Sequence, residues 1–169
     1  AVDGVFRTRV GYAGGTKLDP SYHSLGDHTE VLQVDFDPDA VTYRDLLEAV
    51  FRQHDPQTQP AKPQYQNVVF ASTDTRRASV ETVLSAVGET VESVETRIEQ
   101  LSRFSLAEDY HQKYRLRSKS SFLSVFEEAG YDAEGIRDSP IAAKLNGYVA
   151  GHAVDVDTDR PASDRHVSE

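Results

Sequence analysis

The chain has 169 residues, with 28 acidic side chains against 18 basic ones and a formal net charge of −10 at pH 7. This charge argues against a nucleic acid or an anionic membrane as partner, because the long-range electrostatic force would be repulsive. The sequence contains no cysteine, which excludes disulfides, thiolate metal sites and cysteine catalysis by these residues.

The length predicts one domain with a single sizeable core. No apolar run is long enough to cross a bilayer and no segment at the start resembles a signal peptide, so we expect a cytoplasmic protein. An acidic surface with few lysines would suit a high-salt cytoplasm, although GC-rich coding bias would explain the preference for arginine equally well.

Two alternating segments near the start predict half-buried strands. In Val5–Tyr12 the apolar and neutral side chains alternate with Arg7 and Arg9, and a glycine-rich turn at Gly14-Gly15 follows. Val31–Asp37 alternates more cleanly and predicts the second strand.

Two helices with a strand between them are predicted next. Thr42 and Asp45 have the spacing of a capping box and predict a helix that stops before His54-Asp55-Pro56. Val68–Phe70 is a short apolar strand, and the periodicity that begins about Asp74 predicts a second helix that ends near Gly88.

The remainder of the chain, from Val91 onward, gives weaker signals. The pattern predicts a strand at Val91–Ile98, a short helix at Leu106–Tyr114, a helix from Ser121 to Gly130, a helix that opens at Ser139-Pro140 and runs toward Gly147, and a disordered acidic tail after His152. This order of elements predicts an α+β fold, in which helices pack on a mixed sheet.

Seven short segments carry polar or aromatic side chains in loops or at strand ends, where function is often located. They are Gly11-Tyr12-Ala13-Gly14-Gly15, Asp19-Pro20-Ser21-Tyr22, Asp27-His28-Thr29-Glu30, Phe36-Asp37-Pro38, His54-Asp55-Pro56, Gln64-Tyr65 and Ala107-Glu108-Asp109-Tyr110-His111-Gln112. In this order and at this spacing, the chain from about Gly4 to Tyr114 resembles the peptide methionine sulfoxide reductase A family.

The resemblance implies a two-layer, ferredoxin-like sandwich of sheet and helices with a helical C-terminal extension. Residues 1–114 would form the reductase-like domain and 115–152 the extension packed on it. The acidic tail would occupy residues 153–169.

The resemblance also implies a chemistry. In the family, a cysteine at a helix N-terminus attacks the sulfur of methionine S-sulfoxide, while two tyrosine hydroxyls and a protonated carboxyl group bind the oxygen. The matching positions make Tyr22 and Tyr65 the hydroxyls, and Glu30 the acid that delivers a proton as the S–O bond breaks. Thioredoxin or another thiol would then reduce the resulting sulfenic acid, and no bound cofactor is implied.

Five further residues lie in the matched segments. We predict that they contact the substrate, which would be methionine sulfoxide, free or in proteins. They are Tyr12, His28, Asp109, Tyr110 and His111.

The chain also departs from the family pattern. The family's Gly-Cys-Phe-Trp segment belongs to the helix that leads into the turn at residues 3–5, which places its cysteine just upstream of Ala1. The loop between Pro56 and Tyr65 is short and lacks the family's aspartate, and the C-terminal third has no resolving cysteine. We therefore expect an N-terminally truncated copy of an active reductase, inactive as written.

Two alternatives stay open. A binding module for oxidised methionine or apolar peptides could use the same tyrosines and glutamate without needing a cysteine. A metal site could be built from His28, Glu30, His54 and His111, although a His-x-Glu spacing is common and hydrogen-bonded structural histidines are the plainer interpretation.

Overall fold

The computed structural model describes residues 2–152, which contain five strands and six helices. The strands are β1 (Val5–Ala13), β2 (Thr29–Phe36), β3 (Val68–Ala71), β4 (Arg97–Gln100) and β5 (Phe104–Leu106). The helices are α1 (Tyr43–Phe51), α2 (Asp74–Ala86), α3 (Tyr114–Arg117), α4 (Ser120–Glu128), α5 (Ala133–Asp138) and α6 (Pro140–Val149). The predicted α+β class is confirmed.

The strands form two separate sheets within the described residues, where the sequence predicted one mixed sheet. The larger sheet is antiparallel with the order β2-β1-β5, and β3 and β4 form a parallel pair. In the larger sheet Val5 lies opposite Phe36 and Ala13 opposite Thr29, so the end of β1 meets the start of β2. A groove lies between β2 of the larger sheet and β3 of the parallel pair.

The first core lies between the parallel pair and helices α1 and α2. The predicted capping box is present, since the Thr42 side chain accepts from the Asp45 N–H and the Asp45 carboxylate accepts from the Thr42 N–H. Thr73 caps α2 in a similar way by accepting from the Arg76 N–H. Apolar side chains from both helices and β3 then form one buried cluster, which contains Leu47, Val69, Val80, Val83 and Leu84.

Two predictions in the middle of the chain were wrong in their boundaries. The expected strand at Val91–Ile98 is mostly turn, and β4 begins only at Arg97. Val91 and Val94 instead pack against the first core, so their apolar character serves tertiary packing without a strand. The expected short helix at Leu106–Tyr114 is replaced by the end of β5, one turn of 3₁₀ helix, and the start of α3.

The C-terminal segment has its own small core and twice the predicted number of helices. The N-cap at Ser139 is confirmed, since its side chain accepts from the Ala142 N–H. Helix α6 runs two residues beyond Gly147, and α5, which was not predicted, is only six residues long. The four helices bury Leu116, Phe126, Ile136 and Ala142 together.

Two buried polar side chains join this helical segment to β1. Gln112, which is fully buried, donates from Nε2 to the carbonyl oxygen of Val10 (2.8 Å) and accepts from the Val10 N–H (2.9 Å). Lys113 donates from Nζ to the carbonyl oxygens of Thr8 (2.6 Å) and Arg137 (2.7 Å). The side chains of Gln112 and Lys113 therefore continue, along β1, the pairing that β5 begins.

No helix in residues 2–152 is long and apolar enough to cross a membrane. The predicted acidic tail at 153–169 lies outside the described residues. The predicted division at residue 114 stays a prediction.

Candidate functional site

The glycine-rich turn after β1 is tied to a buried histidine. Gly14 has φ of +80°, and a Cβ there would lie 2.6 Å from the Phe70 ring, so both the conformation and the close approach require glycine. The Gly15 N–H donates to His28 Nδ1 (3.2 Å), and His28 Nε2 lies 2.9 Å from the Lys17 carbonyl oxygen. This pairing corresponds to a neutral imidazole that accepts at Nδ1 and donates at Nε2.

Tyr22, Tyr65 and Glu30 come together beside this turn. Tyr22 follows the turn, Glu30 is the second residue of β2, and Tyr65 ends one turn of 3₁₀ helix at Pro63–Tyr65. A hydrogen bond with Tyr65 raises the pKa of the Tyr22 hydroxyl, and the charge of nearby Glu30 raises this pKa further. Both tyrosine rings are accessible, with 37% of Tyr22 and 50% of Tyr65 exposed.

A glutamine holds the Glu30 carboxyl group. Gln64 Nε2 donates to Glu30 Oε1 over 2.6 Å, from the 3₁₀ turn that also carries Tyr65. Within residues 2–152, the hydrogen bond from Gln64 involves only one of the two carboxyl oxygens. Gln64 thus holds the Glu30 carboxyl group, and its neighbour Tyr65 contributes a hydroxyl to the site.

The floor of the site is a buried tyrosine and a second carboxylate. Tyr12 is 1% exposed and donates its hydroxyl to Glu108 Oε2 (2.6 Å), while Glu108 Oε1 accepts from the Tyr22 N–H (3.0 Å). Burial and this carboxylate raise the pKa of Tyr12 far above its ordinary value. Burial works against ionisation of Glu108, but the hydrogen bonds from Tyr12 and Tyr22 outweigh it and lower the pKa of Glu108 below its ordinary value.

Aromatic rings form one wall of the site. The His111 ring lies 4.6 Å from the Tyr22 ring and 4.3 Å from the Tyr110 ring, between centroids. Burial, followed by the charge of Glu108, raises the pKa of Tyr110. The exposed rings of Tyr22, Tyr65 and Tyr110 thus form one cluster with the carboxyl groups of Glu30 and Glu108.

Six of the eight predicted site residues converge here: Tyr12, Tyr22, Glu30, Tyr65, Tyr110 and His111. His28 instead lies under the glycine-rich turn with both ring nitrogens engaged, and Asp109 is exposed at the start of a 3₁₀ turn. Two residues of the cluster, Gln64 and Glu108, received no predicted role. Both stand inside recognised segments, but no sequence signal indicates that their side chains reach Glu30 and Tyr22.

The four proposed metal ligands do not assemble. Within residues 2–152 no three His, Cys, Asp or Glu side chains lie close enough to hold a metal ion. His54 has both ring nitrogens near oxygen atoms, at 3.0 Å from the carbonyl of Val50 and 2.9 Å from Oγ1 of Thr96. His54 and His28 therefore have the structural roles that the plainer interpretation expected.

A groove of about 720 Å³ opens from the site and follows the gap between the two sheets. Consecutive residues of β2 and β3 line its two sides, and apolar side chains of α1 line it as well. The lining includes Glu30, Val31, Leu32, Gln33, Val34, Asp35 and Phe36 from β2, Val68, Val69 and Phe70 from β3, and Tyr43, Leu46, Leu47 and Val50 from α1. Glu30 stands at one end, so the groove and the tyrosine cluster share a residue.

The arrangement offers two hydroxyls and a carboxyl group around one solvent-accessible point. Such a set binds a small oxygen acceptor through several hydrogen bonds at once, and the carboxyl group is a proton source when it is protonated. The described side chains of the cluster include no thiol.

Known proteins are similar to this chain in sequence and in architecture. The chain is similar to a peptide methionine sulfoxide reductase of Drosophila melanogaster, with 36% identity over 154 residues that cover 89% of this chain and 61% of the fly protein. A Methanothermobacter thermautotrophicus enzyme of the same name is 42% identical over 125 residues, which cover 67% of this chain and 74% of that protein. The chain spans about 60% of the length of its fly and plant relatives.

A solved structure agrees with the sequence relatives. The reduced form of Mxr1 from Saccharomyces cerevisiae aligns with a TM-score of 0.60 and 31% identity over 70% of this chain and 74% of that one. The family model described as peptide methionine sulfoxide reductase matches residues 1–134, which extends past Tyr114 into the helical segment. With that match over most of its length, the chain belongs to the peptide methionine sulfoxide reductase family, although it contains no cysteine.

Proposed function

We propose that this chain is the oxygen-binding part of an enzyme that reduces methionine S-sulfoxide to methionine and so repairs oxidative damage. The observation that carries the proposal is the meeting of Tyr22, Tyr65 and Glu30 at one accessible point. The family membership supports the same reaction. Because the 169 residues contain no cysteine, we infer that a preceding segment supplies the nucleophile, and that the chain alone is inactive.

The proposed roles follow from the chemistry of the sulfoxide. The Tyr22 and Tyr65 hydroxyls donate to the sulfoxide oxygen and polarise the S–O bond, which makes the sulfur more electrophilic. A cysteine thiolate attacks this sulfur, and protonated Glu30 delivers a proton to the oxygen as the S–O bond breaks. The attack joins the cysteine sulfur to the methionine sulfur, and the oxygen leaves as water. A water molecule then adds to the cysteine sulfur as the bond between the two sulfurs breaks, so methionine leaves as the reduced thioether and the cysteine remains oxidised as a sulfenic acid.

In this proposal, thiols reduce the sulfenic acid and regenerate the cysteine. A first thiol attacks the sulfenic acid, which releases water and leaves a mixed disulfide, and a second thiol restores the cysteine. Thioredoxin or another thiol would be the external reductant. The substrate would be methionine sulfoxide, free or in proteins. Tyr12, Tyr110 and His111 would shape its pocket, whereas His28 would hold the turn below it and Asp109 would contribute at the rim.

The groove between the sheets supports a place for the preceding segment. β2 and β3 both begin at the site and run away from it, since Glu30 is the second residue of β2 and Tyr65 comes three residues before β3. A strand laid antiparallel to both would complete one mixed sheet, as in a ferredoxin-like sandwich, and would end beside Glu30. The residue after that strand would then reach the tyrosine cluster, where a nucleophile is needed.

The test of the proposed function is to attach a preceding segment that carries the cysteine. We expect that fusing a family strand, its Gly-Cys-Phe-Trp segment and the connecting helix to Ala1 gives dithiothreitol-dependent reduction of methionine S-sulfoxide, measured by chromatography of the product. The unaltered chain and a fusion with Ser in place of the added cysteine should give none. In the active fusion, Glu30→Gln should lower kcat by about 10²-fold or more, because the proton donor is lost. A folded fusion without turnover would sink the proposal.

A second candidate is a binding module for oxidised methionine or apolar peptides. The observation that favours it is the combination of an accessible tyrosine cluster with a complete lack of cysteine. This reading requires that the unaltered chain bind methionine sulfoxide, and that the cysteine-bearing fusion still show no turnover. The fusion experiment therefore separates the two candidates.

A further inference from the structure

Glu108 contacts two of the site tyrosines and has no part in the chemistry described above. One carboxylate oxygen accepts from the Tyr12 hydroxyl (2.6 Å) and the other from the Tyr22 main-chain N–H (3.0 Å). One side chain thus connects the floor of the site to the loop that carries a substrate-binding hydroxyl.

The side of this bridge that involves Tyr12 is rigid. Tyr12 is 1% exposed within β1, and Ala107, next to Glu108, is 4% exposed and packs in the same small core. The Ala107 N–H donates to the Val10 carbonyl oxygen (3.1 Å), and its own carbonyl oxygen accepts from Gln112 (3.0 Å). The Glu108 backbone is therefore fixed by pairing on its N-terminal side.

The loop that carries Tyr22 is held by polar contacts, among them those of Lys17 Nζ with the Ser24 carbonyl oxygen and of Arg103 with the Leu18 carbonyl oxygen. Tyr22 is exposed, and its loop is closed by main-chain bonds between Ser21 and Ser24. The His111 ring, 4.6 Å away, lies against the Tyr22 ring. Glu108 and His111 therefore contact this residue at two points, its main-chain N–H and its ring.

We propose that Glu108 is a positioning residue, whose carboxylate sets the place of the Tyr22 hydroxyl and thereby the affinity of the site for a sulfoxide oxygen. The inference rests on the proposed function, because it takes methionine sulfoxide as the ligand. Glu108 itself does not touch the ligand in this account. Its effect passes through the Tyr22 main chain.

Binding to the unaltered chain tests this role without a nucleophile. The probe is N-acetyl-methionine S-sulfoxide, added to ¹⁵N-labelled protein and followed by amide spectra. Glu108→Ala should weaken binding roughly tenfold and shift the Tyr22 amide proton upfield, because its charged acceptor is gone. Glu108→Gln keeps an oxygen acceptor for the Tyr22 N–H and should bind within about threefold of the unaltered chain.

Two controls separate positioning from general damage. Glu127→Ala removes an exposed glutamate of α4 and should leave both the affinity and the Tyr22 resonance unchanged. If Glu108→Ala does not fold, Glu108→Asp preserves the charge but is one methylene shorter and cannot hold both partners, so it should show the same weakened binding.

The experiment distinguishes a failure of the proposed function from a failure of the role proposed for Glu108. If neither the unaltered chain nor the serine-bearing fusion binds the sulfoxide, the proposed function fails and the role of Glu108 falls with it. If only the serine-bearing fusion binds, the Glu108 variants are compared in that fusion. If the unaltered chain binds and the folded Glu108→Ala or Glu108→Asp variant binds equally well, only the role of Glu108 is overturned.

Discussion

The two flanks of the antiparallel sheet are completed in different ways. On the flank beyond β1, pairing with β5 covers Gly11 to Ala13, and the side chains of Gln112 and Lys113 continue it at Val10 and Thr8. On the flank beyond β2, no other strand of residues 2–152 pairs with the edge, and the groove begins there.

The difference shows that a strand edge can be completed by side chains or left for a strand to complete. An amide side chain has one donor group and one acceptor, so Gln112 can replace a strand residue opposite Val10. An open edge with an apolar floor has main-chain groups that another strand can pair with. The closed flank is therefore a source of stability for this chain, whereas the open flank is a site of assembly in our proposal.

The largest effect should come from breaking the closed flank at Gln112. Gln112 is fully buried, and Gln112→Ala removes the partners of the Val10 N–H and of the Ala107 carbonyl, and one of the two donors to the Val10 carbonyl. Each orphaned buried group costs about 1–3 kcal/mol, so we expect the free energy of unfolding to fall by about 3 kcal/mol or more. Urea denaturation followed by circular dichroism measures this change.

A matched substitution checks that the loss comes from the flank. Gln53→Ala removes a glutamine side chain at an exposed position and should change the free energy of unfolding by less than about 0.5 kcal/mol. Equal costs for the two substitutions would contradict the account of Gln112.

A smaller effect should appear as a pH dependence at Lys113. This side chain is 3% exposed, and burial lowers its pKa to about 8, whereas an unfolded lysine titrates near its ordinary 10.5. Between these values the unfolded chain binds more protons, so stability contributed by Lys113 rises with pH in this window. The neutral amine still has two N–H groups for the carbonyls of Thr8 and Arg137. The gain should reach at most about 3 kcal/mol.

The measurement compares the unaltered chain with Lys113→Met from pH 7 to 10.5. Tyrosines titrate in both proteins, so only the difference between their free energies of unfolding reports on Lys113. We expect this difference to move in favour of the unaltered chain as pH rises. Lys144→Met serves as the control, since Lys144 is partly exposed beside Asp3. If the difference in free energy of unfolding between the unaltered chain and Lys113→Met does not change with pH, the lowered pKa of Lys113 is contradicted.

Local signals in the sequence predicted the elements of the open flank better than those of the closed one. Strict alternation predicted β2, and the capping pair Thr42 and Asp45 predicted α1, because these signals act within a few residues. β5 has only three residues and exists through its pairing with β1, about ninety residues earlier, so no local pattern marks it. The two-sheet arrangement was missed for the same reason.

The residues of the site also divide into those that the sequence predicted and those that only the structure reveals. Resemblance selected Tyr22, Glu30 and Tyr65 by position, and the structure brings them together. The residues that hold them, Gln64 and Glu108, depend on contacts across 34 and 86 residues of chain, which spacing cannot reveal.

The smallest effect should come from the open flank at Leu32. This residue lies opposite Val10 in the sheet but is 59% exposed, whereas Val10 packs on the buried cluster around Tyr12. In the unaltered chain, Leu32→Thr should change the free energy of unfolding by no more than about 0.5 kcal/mol, because little apolar surface is lost from a packed environment. Val10→Thr should cost about 1–3 kcal/mol, because it buries a hydroxyl.

The same pair of variants sharpens the contrast once the groove is filled. In the fusion that carries the preceding strand, Leu32 acquires a neighbour on its open side, so Leu32→Thr should become more costly by about 1 kcal/mol, while the cost of Val10→Thr stays the same. Urea denaturation of the four variants measures both changes. A Leu32→Thr cost already above 1 kcal/mol in the chain alone would mean that the β2 flank is packed without the strand. An unchanged cost in a folded, active fusion would mean that the strand lies elsewhere.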